Sequence, residues 1–267
     1  MILYKYMSFE TACKVIDTLS LGFSCLEDLN DPFECTAFGF TNNGTEINSY
    51  LTTVAAACRN RFSRKYGILS LTRQPLNSLM WSHYGDEHQG VVIGIDVDIA
   101  GFSCVEKCVI PSQYGEVIYS ATKPHKDLPV ISADTLMEIG QELRFDPDAF
   151  NLVKRAFLYK SIEWGYEEEV RVVKKISGIP LGYHIGQGRH DEWNKITISG
   201  RPLYCFDIPE NSIKEIYLGH HIRKNVTKKN LLTGEELKGL LNSWREKGIK
   251  VMRCNPDLHS WNLIAKP

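Results

Sequence analysis

The chain has 267 residues, of which 43% are hydrophobic and 24% charged, a composition typical of globular proteins. Its formal net charge is −1, so no global field draws it to nucleic acid or to an acidic membrane. No apolar run has the length of a membrane-spanning helix, and no linker or repeat divides the chain. We therefore predict a single domain, residues 1–267, without a membrane partner.

The eight cysteines are scattered and form no Cys-x-x-Cys pair. The first residues, Met-Ile-Leu-Tyr-Lys-Tyr, are typical of a strand and not of a signal peptide. Both observations predict reduced, mostly buried thiols in a cytoplasmic protein. The one close pair, Cys104 and Cys108, has no histidine at a ligand spacing, so we expect no zinc or other metal.

The chain begins with a predicted strand at Ile2–Tyr6. A helix follows, capped by Ser8 and ended by Gly22, since apolar residues then recur at helical spacing. Residues 21–25 are a candidate short strand. They lead into the loop Leu29–Glu34, which reads Leu-Asn-Asp-Pro-Phe-Glu.

After a turn at residues 42–44, the pattern predicts a helix over 47–62 that Gly67 ends. A strand at Ile68–Leu71, a short helix at Leu79–Tyr84 and an apolar strand at Gly90–Val97 follow.

The next segment predicts antiparallel strands at Val105–Ile110 and Val117–Tyr119, with a loop over 121–130. Two helices should begin at Ser132 and at Asp146, the second with Pro147 at its first position.

A strand is then predicted at Val170–Lys174 and a loop over 179–195. The C-terminal part of the sequence predicts a β-α-β unit. It consists of a strand at Glu215–Leu218, a helix capped by Thr233, and a second strand at Ile249–Met252. The whole pattern predicts an α+β fold of mixed, mostly antiparallel sheets flanked by helices.

The loop Leu29–Glu34 is dense in polar groups and is the first candidate site. Asn30 and Asp31 are residues that bond nearby backbone in turns, and we expect them to set the shape of the loop. Pro32 and Phe33 should anchor it, and Glu34 is the member expected to face a ligand.

An aromatic block over residues 69–96 is the second candidate. Trp81 and Tyr84 could stack on a planar ligand, and His83 and His88 could supply acid-base groups. The alternative is that the two aromatic side chains simply pack into the core. The histidines are five residues apart and share no helix face, which disfavours a metal pair.

An acidic segment leads into the strand near residue 170. Alternation along an extended chain places Glu167 and Glu169 on one side, where two carboxylates can share acid-base or cation-stabilising work. The alternative is a solvated acidic strand start paired with Arg171. A basic cluster of Arg223, Lys224, Lys228 and Lys229 is interpreted as a solvated helix face.

Four motifs together resemble an uncharacterised bacterial family, a domain of unknown function. They are the Tyr-Lys-Tyr start at Tyr4–Tyr6, the loop Leu29–Glu34, the block Ser70–Gly85 and the segment Trp164–Arg171. This resemblance spans nearly the whole chain and implies no activity.

The order of the blocks also resembles the ADP-ribosyltransferase superfamily. Glu167-x-Glu169 is similar to its Glu motif, Ser70 or Tyr84 to its Ser or Tyr position, and Lys5 stands where that superfamily has Arg or His. The resemblance implies a split sheet and NAD as the substrate. It further implies a catalytic Glu169 supported by Glu167 and Tyr84, and no metal.

The side chains expected to bind the substrate are Lys5, Tyr6, Asn30, Asp31, Glu34, Ser70, Trp81, His83, His88 and Arg171. The first functional hypothesis is thus an NAD-using transferase, of the kind found in bacterial toxins and phage-defence effectors. It would bind a nucleotide-type small molecule, a macromolecular acceptor, and an antitoxin or regulatory partner.

Two other hypotheses remain open. A metal-dependent nuclease or phosphodiester hydrolase would gather Asp31, Glu34, Glu167 and Glu169 around Mg²⁺. A non-catalytic module would sense a nucleotide through the aromatic block.

Overall fold

The computed structural model describes residues 1–34, 63–122, 142–176, 193–198, 200–223, 226 and 231–267. The predicted turn at 42–44, the predicted helix over 47–62 and most of the one from Ser132 lie outside these residues, as do most of the loops at 121–130 and 179–195. None of the helices in the described ranges combines the length and apolar character needed to cross a membrane.

The described residues confirm an α+β fold built on a large, open, mostly antiparallel sheet. Its strands are β1 (Ile2–Met7), β2 (Ser20–Ser24), β3 (Tyr66–Thr72), β4 (Val91–Asp96), β7 (Glu169–Lys175), β8 (Trp193–Ile198), β9 (Arg201–Asp207), β10 (Ile213–Leu218), β11 (Lys250–Pro256) and β12 (Leu263–Lys266). A separate parallel pair joins β5 (Ile118–Ser120) to β6 (Tyr159–Ser161). The helices are α1 (Phe9–Thr18), α2 (Ser78–His83), α3 (Phe150–Phe157) and α4 (Gly234–Glu246).

The sheet divides at β3. On one edge β3 pairs with β7 along its whole length, up to Thr72 opposite Glu169. On its other edge β3 meets β1 only at Thr72 and β2 only at Ile68. One wing therefore runs β1-β4-β10-β11-β12 and the other β2-β9-β8, and the two part along β3.

Local signals explain the N-terminal elements. The Ser8 side chain accepts a hydrogen bond from the Thr11 amide and caps α1, as predicted. The helix ends at Thr18, where Leu19 adopts a left-handed conformation with φ 50°. The prediction that Gly22 ends it was wrong. Gly22 lies in β2, where a Cβ would come within 2.4 Å of the Leu203 side chain.

Three other boundaries differ from the predictions. Gly67 ends no helix but lies inside β3. Residues 105–110 form a turn closed by the Cys108 amide on the Cys104 carbonyl, and only Ile110 makes a strand-like bridge. The helix predicted from Asp146 begins later, at Phe150, because the Asp146 carboxylate accepts from the Asp148 amide and forms a turn instead.

The C-terminal β-α-β unit is confirmed. β10 and β11 are parallel and are joined through α4. Thr233 accepts from the Glu236 amide at 3.2 Å, and Glu236 accepts from the Thr233 amide at 2.7 Å, which completes the predicted capping box. Gly248 follows the helix with φ +81°, a conformation that glycine adopts without strain.

The turn between α2 and β4 is left-handed. Asp86, Glu87 and His88 have φ of 49°, 53° and 65°, each costing an L-residue about 1–2 kcal/mol. Hydrogen bonds hold the turn, among them the Gly90 amide on the Gly85 carbonyl at 2.8 Å.

Replacing the exposed Glu87 by glycine is expected to raise the free energy of unfolding by about 1 kcal/mol, because glycine adopts positive φ without strain. The control is Glu246→Gly, in the last turn of α4, which should lower it by about 0.5–1 kcal/mol. Urea denaturation measures both. A loss of stability in the Glu87 variant would show that the turn is not left-handed.

Candidate functional site

A cleft of about 220 Å³ lies where the two wings part. Its walls come from β1, β3, the start of β7, the C-terminal end of α2 and the loop after β2. Lys5, Ser70, Tyr84 and Glu169, predicted from separate blocks of sequence, all line this one cleft. Tyr6, Asn30, Glu34, Glu167 and Arg171 line it as well.

Arg171 is the buried centre of the cleft wall. Its Nε and Nη2 atoms lie 2.8 and 3.0 Å from the two carboxylate oxygens of Glu169, a two-point ion pair. Nη2 also pairs with Glu34, and Nη1 donates to the Phe157 carbonyl at 2.7 Å. One guanidinium therefore ties β7 to the Leu29–Glu34 loop and to the end of α3.

Lys160, at the centre of β6, supplies the second buried cation. Its Nζ lies 2.6 Å from Glu167, 3.3 Å from Glu169 and 3.4 Å from Glu34. It also stands 4.9 Å from the centre of the Trp164 ring, within range of a cation–π contact. Three carboxylates thus face two cations, and the cluster carries one net negative charge when all five groups are ionised.

The two cations set the ionisation of the cluster. Burial alone would raise the pKa of Glu169, but Arg171 and Lys160 outweigh it and hold that pKa at about 2. Glu34 differs, because burial outweighs the same two cations and raises its pKa. Glu169 is therefore a permanent anion at neutral pH.

Tyr84 connects the cluster to the cleft. Its hydroxyl donates to Glu167 Oε1 at 2.7 Å and accepts from the Asn30 side-chain amide at 2.9 Å. Burial, and then the Glu167 carboxylate, raise the pKa of Tyr84, so the phenol stays protonated at neutral pH. Asn30 thus orients the phenol, which presents a polar group at the cleft surface.

Glu167 and Glu169 do point the same way, but not through strand alternation. Glu167 ends a 3₁₀ helix, Ile162–Glu167, and only Glu169 belongs to the strand. Glu168 between them is left-handed, with φ 43°, and interrupts the strand alternation. The Thr72 hydroxyl holds Glu167 in this position by donating a hydrogen bond to its backbone carbonyl at 2.5 Å.

Lys5 and Ser70 form the opposite wall. The Lys5 ammonium donates to the Ser70 carbonyl at 2.9 Å, and the Ser70 hydroxyl helps to lower the pKa of the Glu169 carboxylate. Burial lowers the pKa of Lys5, although Glu169 acts against this. The Tyr6 hydroxyl donates to the Gln74 carbonyl at 2.7 Å, which holds that ring against the cleft.

Three predicted residues of the aromatic block do not line the cleft. Trp81 is fully buried, its Nε1 donates to the Pro75 carbonyl at 3.0 Å, and its ring packs edge-on against Tyr6. Of the two readings of Trp81, core packing is therefore correct. His83 is exposed, and the half-buried His88 lies 3.2 Å from the Ser82 hydroxyl, parallel to the Trp81 ring.

The loop Leu29–Glu34 differs in part from its prediction. Asp31 is buried outside the cleft and accepts from the Phe33 amide at 2.9 Å, so it shapes the loop as expected. Phe33 does not anchor the loop, because its side chain is 65% exposed. Glu34, expected to face a ligand, lines the cleft but is buried at its ion pairs with Lys160 and Arg171.

Lys160 was not among the residues predicted from the sequence. The residue follows the apolar run Ala156-Phe157-Leu158 and stands in no motif. A lysine next to an apolar run is a weak sign of a buried, paired cation, since unpaired lysines are rarely buried.

Among the described residues, no group of three or more His, Cys, Asp or Glu side chains could hold a metal ion. The three carboxylates that do converge already surround Lys160. The cysteines within the described ranges, Cys13, Cys25, Cys104, Cys108, Cys205 and Cys254, are free thiols.

Comparison with known proteins yields one match. No curated protein and no solved structure matches the chain. Residues 80–172 match the model of a family described as "Protein of unknown function (DUF2971)". The matched segment contains Tyr84, Lys160, Glu167, Glu169 and Arg171, and so much of the cleft. This segment of the chain is thus similar to a family of unknown function, in agreement with the resemblance of its motifs.

Proposed function

We propose that the cleft binds NAD and breaks the bond between nicotinamide and ribose, as an ADP-ribosyltransferase does. One observation carries the proposal: Lys5 on β1, Ser70 on β3 and Glu169 on β7 line the same cleft, where the sheet divides. These are the three positions to which the resemblance assigns ribose binding and catalysis.

The electrostatics of the cleft suit this chemistry. Cleavage of the nicotinamide–ribose bond passes through an oxocarbenium-like state, because nicotinamide leaves with the bonding electron pair. An anion that needs no reorganisation stabilises such a cation. Glu169 is one, since Arg171 and Lys160 hold its pKa at about 2.

The size of the cleft suits part of NAD. Drug-sized ligands occupy pockets of about 300–1,000 Å³, whereas this cleft measures about 220 Å³. Nicotinamide with its ribose would enter, and the adenosine half would lie outside. Within the cleft Tyr84 offers a ring for nicotinamide, and the Lys5 ammonium and Ser70 hydroxyl offer polar contacts to ribose.

The metal-dependent alternative is less well supported. It requires Asp31, Glu34, Glu167 and Glu169 to converge on one cation, but Asp31 lies outside the cleft. The other three carboxylates converge on the ammonium of Lys160, which takes the place that a metal ion would need.

Tyr84→Phe is expected to lower the rate of nicotinamide release from NAD about tenfold, since it removes one hydrogen bond to an ionised carboxylate. Tyr114→Phe makes the same chemical change at an exposed tyrosine outside the cleft and is the matched control. The assay follows nicotinamide by chromatography, with water and then a cell extract supplying acceptors, in the presence of EDTA.

Each outcome of this assay separates the hypotheses. The transferase is supported if the unaltered protein releases nicotinamide in the presence of EDTA, and if Tyr84→Phe slows this release while Tyr114→Phe does not. Binding of NAD without release in either condition identifies a sensing module and overturns the transferase. In a parallel assay with Mg²⁺, release of phosphate or cleavage of nucleic acid that EDTA stops identifies the hydrolase and overturns the transferase.

A further inference from the structure

A second cavity, of about 430 Å³, lies in the C-terminal β-α-β unit and shares no lining residue with the cleft. Four basic side chains surround it, and no carboxylate is among its described lining residues. They are Arg223, Lys238, Arg245 and Arg253. Its floor is apolar and is formed by Val226, Leu237 and Leu241, all buried.

The basic groups come from three separate elements. Lys238 and Arg245 project from α4, Arg253 from β11, and Arg223 from the chain that follows β10. Burial, and then the nearby charge of Arg223, lower the pKa of Arg253, so two guanidinium groups are held close together. A bound anion would interact favourably with both guanidinium groups.

We propose that this cavity binds a small phosphorylated ligand of the nucleotide di- or triphosphate class. Guanidinium groups bind phosphate oxygens in pairs, and four cations suit a polyphosphate better than a single phosphate. The apolar floor offers a surface for the base or sugar. Two acids, Glu235 and Glu236, lie in the first turn of α4, and Glu236 is engaged with Thr233 in the capping box.

A concave site favours a small molecule over nucleic acid. A nucleic-acid surface needs a basic stripe along many phosphates, whereas these four residues ring one cavity. Arg223, the described member of the basic cluster of the sequence, is helical and exposed, as expected for a solvated helix face, and it also lines this cavity. Lys224, Lys228 and Lys229 lie outside the described residues.

The test titrates the full chain with tripolyphosphate and with ATP at fixed ionic strength, by calorimetry. We expect saturable binding, about tenfold or more weaker in Arg253→Gln because one charge-assisted contact is lost. Lys238→Gln, at an exposed position that folding does not need, should also weaken binding. Lys247→Gln, an exposed lysine outside the cavity, is the matched control and should bind as the unaltered protein does.

Glu167→Gln alters only the cleft and should leave tripolyphosphate affinity unchanged, which separates this site from the proposed NAD site. Absence of tripolyphosphate binding would overturn the proposal. So would equal affinity in the Lys238 and Lys247 variants. If a twelve-nucleotide DNA strand binds more tightly than ATP, and Arg253→Gln removes that affinity, the site is a nucleic-acid surface instead.

Discussion

Replacing Arg171 by methionine is expected to lower the free energy of unfolding by about 3–5 kcal/mol. The side chain is 1% exposed and neutralises Glu169 and Glu34. Without it, three buried carboxylates would face the single ammonium of Lys160. Methionine keeps much of the side-chain volume, so the loss would come from unpaired charge and not from a cavity.

Denaturation in urea at neutral pH measures the effect. Arg144→Met, at a pair with Glu106 whose partners are 67% and 66% exposed, is the matched control and should cost at most about 1 kcal/mol. Removing a partner carboxylate together with the cation, in Arg171→Met with Glu169→Met, should recover part of the loss. If Arg171→Met and Arg144→Met lower the free energy of unfolding equally, the buried ion pairs do not hold the cleft together.

Glu169→Gln is expected to lower the free energy of unfolding by about 3 kcal/mol at neutral pH, because the pKa of Glu169 falls from 4.5 to about 2 on folding. A lowered pKa stabilises the folded state above the unfolded value of 4.5. That contribution is lost as the pH falls from 4.5 through 2. The unaltered protein should therefore lose stability over this range faster than the variant.

Urea denaturation at several pH values between about 2 and 7 measures the free energy of unfolding of both proteins. The difference between them, plotted against pH, is the difference curve. Glu116→Gln changes a glutamate whose side chain is 73% exposed and should give a nearly flat difference. Glu34 acts in the opposite direction, since its raised pKa favours the folded state at low pH. A difference curve for Glu169→Gln that is flat from pH 2 to 7 would contradict the bidentate pair.

The same Glu169 variant tests the proposed reaction. Loss of a preorganised charge of this kind lowers the rate of a chemical step about 10²- to 10³-fold. The assay is nicotinamide release at neutral pH, with the folded fraction checked by near-ultraviolet circular dichroism. A folded Glu169→Gln protein with full activity would remove Glu169 from the mechanism, and Glu116→Gln should retain full activity.

Elements with strong local signals could be predicted from the sequence. Ser8 caps α1, the apolar run of β4 is buried, and Thr233 opens α4 with its capping box. Each signal lies within a few residues, so it needs no knowledge of the fold. The strand predicted over residues 105–110 was wrong, because the chain turns at Cys104–Cys108 and only Val109 and Ile110 hydrogen-bond to Val173 of β7.

The candidate site could be predicted only in part, because long-range pairing assembles it. Lys5, Ser70 and Glu169 were recognisable as separate motifs, and pairing of β1, β3 and β7 brings them together. Lys160 was not recognisable, because its partners lie in two other segments, Leu29–Glu34 and Trp164–Arg171. Trp81 had two equally good readings, and only the position of α2 against β1 decided between them.

The division of the sheet at β3 also bears on the order of folding. The β10-α4-β11 unit closes over a single helical crossover, whereas the Arg171–Glu34 pair joins residues 137 positions apart. Contacts between distant residues form late, because closing long loops costs chain entropy first. We therefore expect the C-terminal unit to form early and the cleft last. A chain interrupted during folding would be compact at its C-terminal end and still without its cleft.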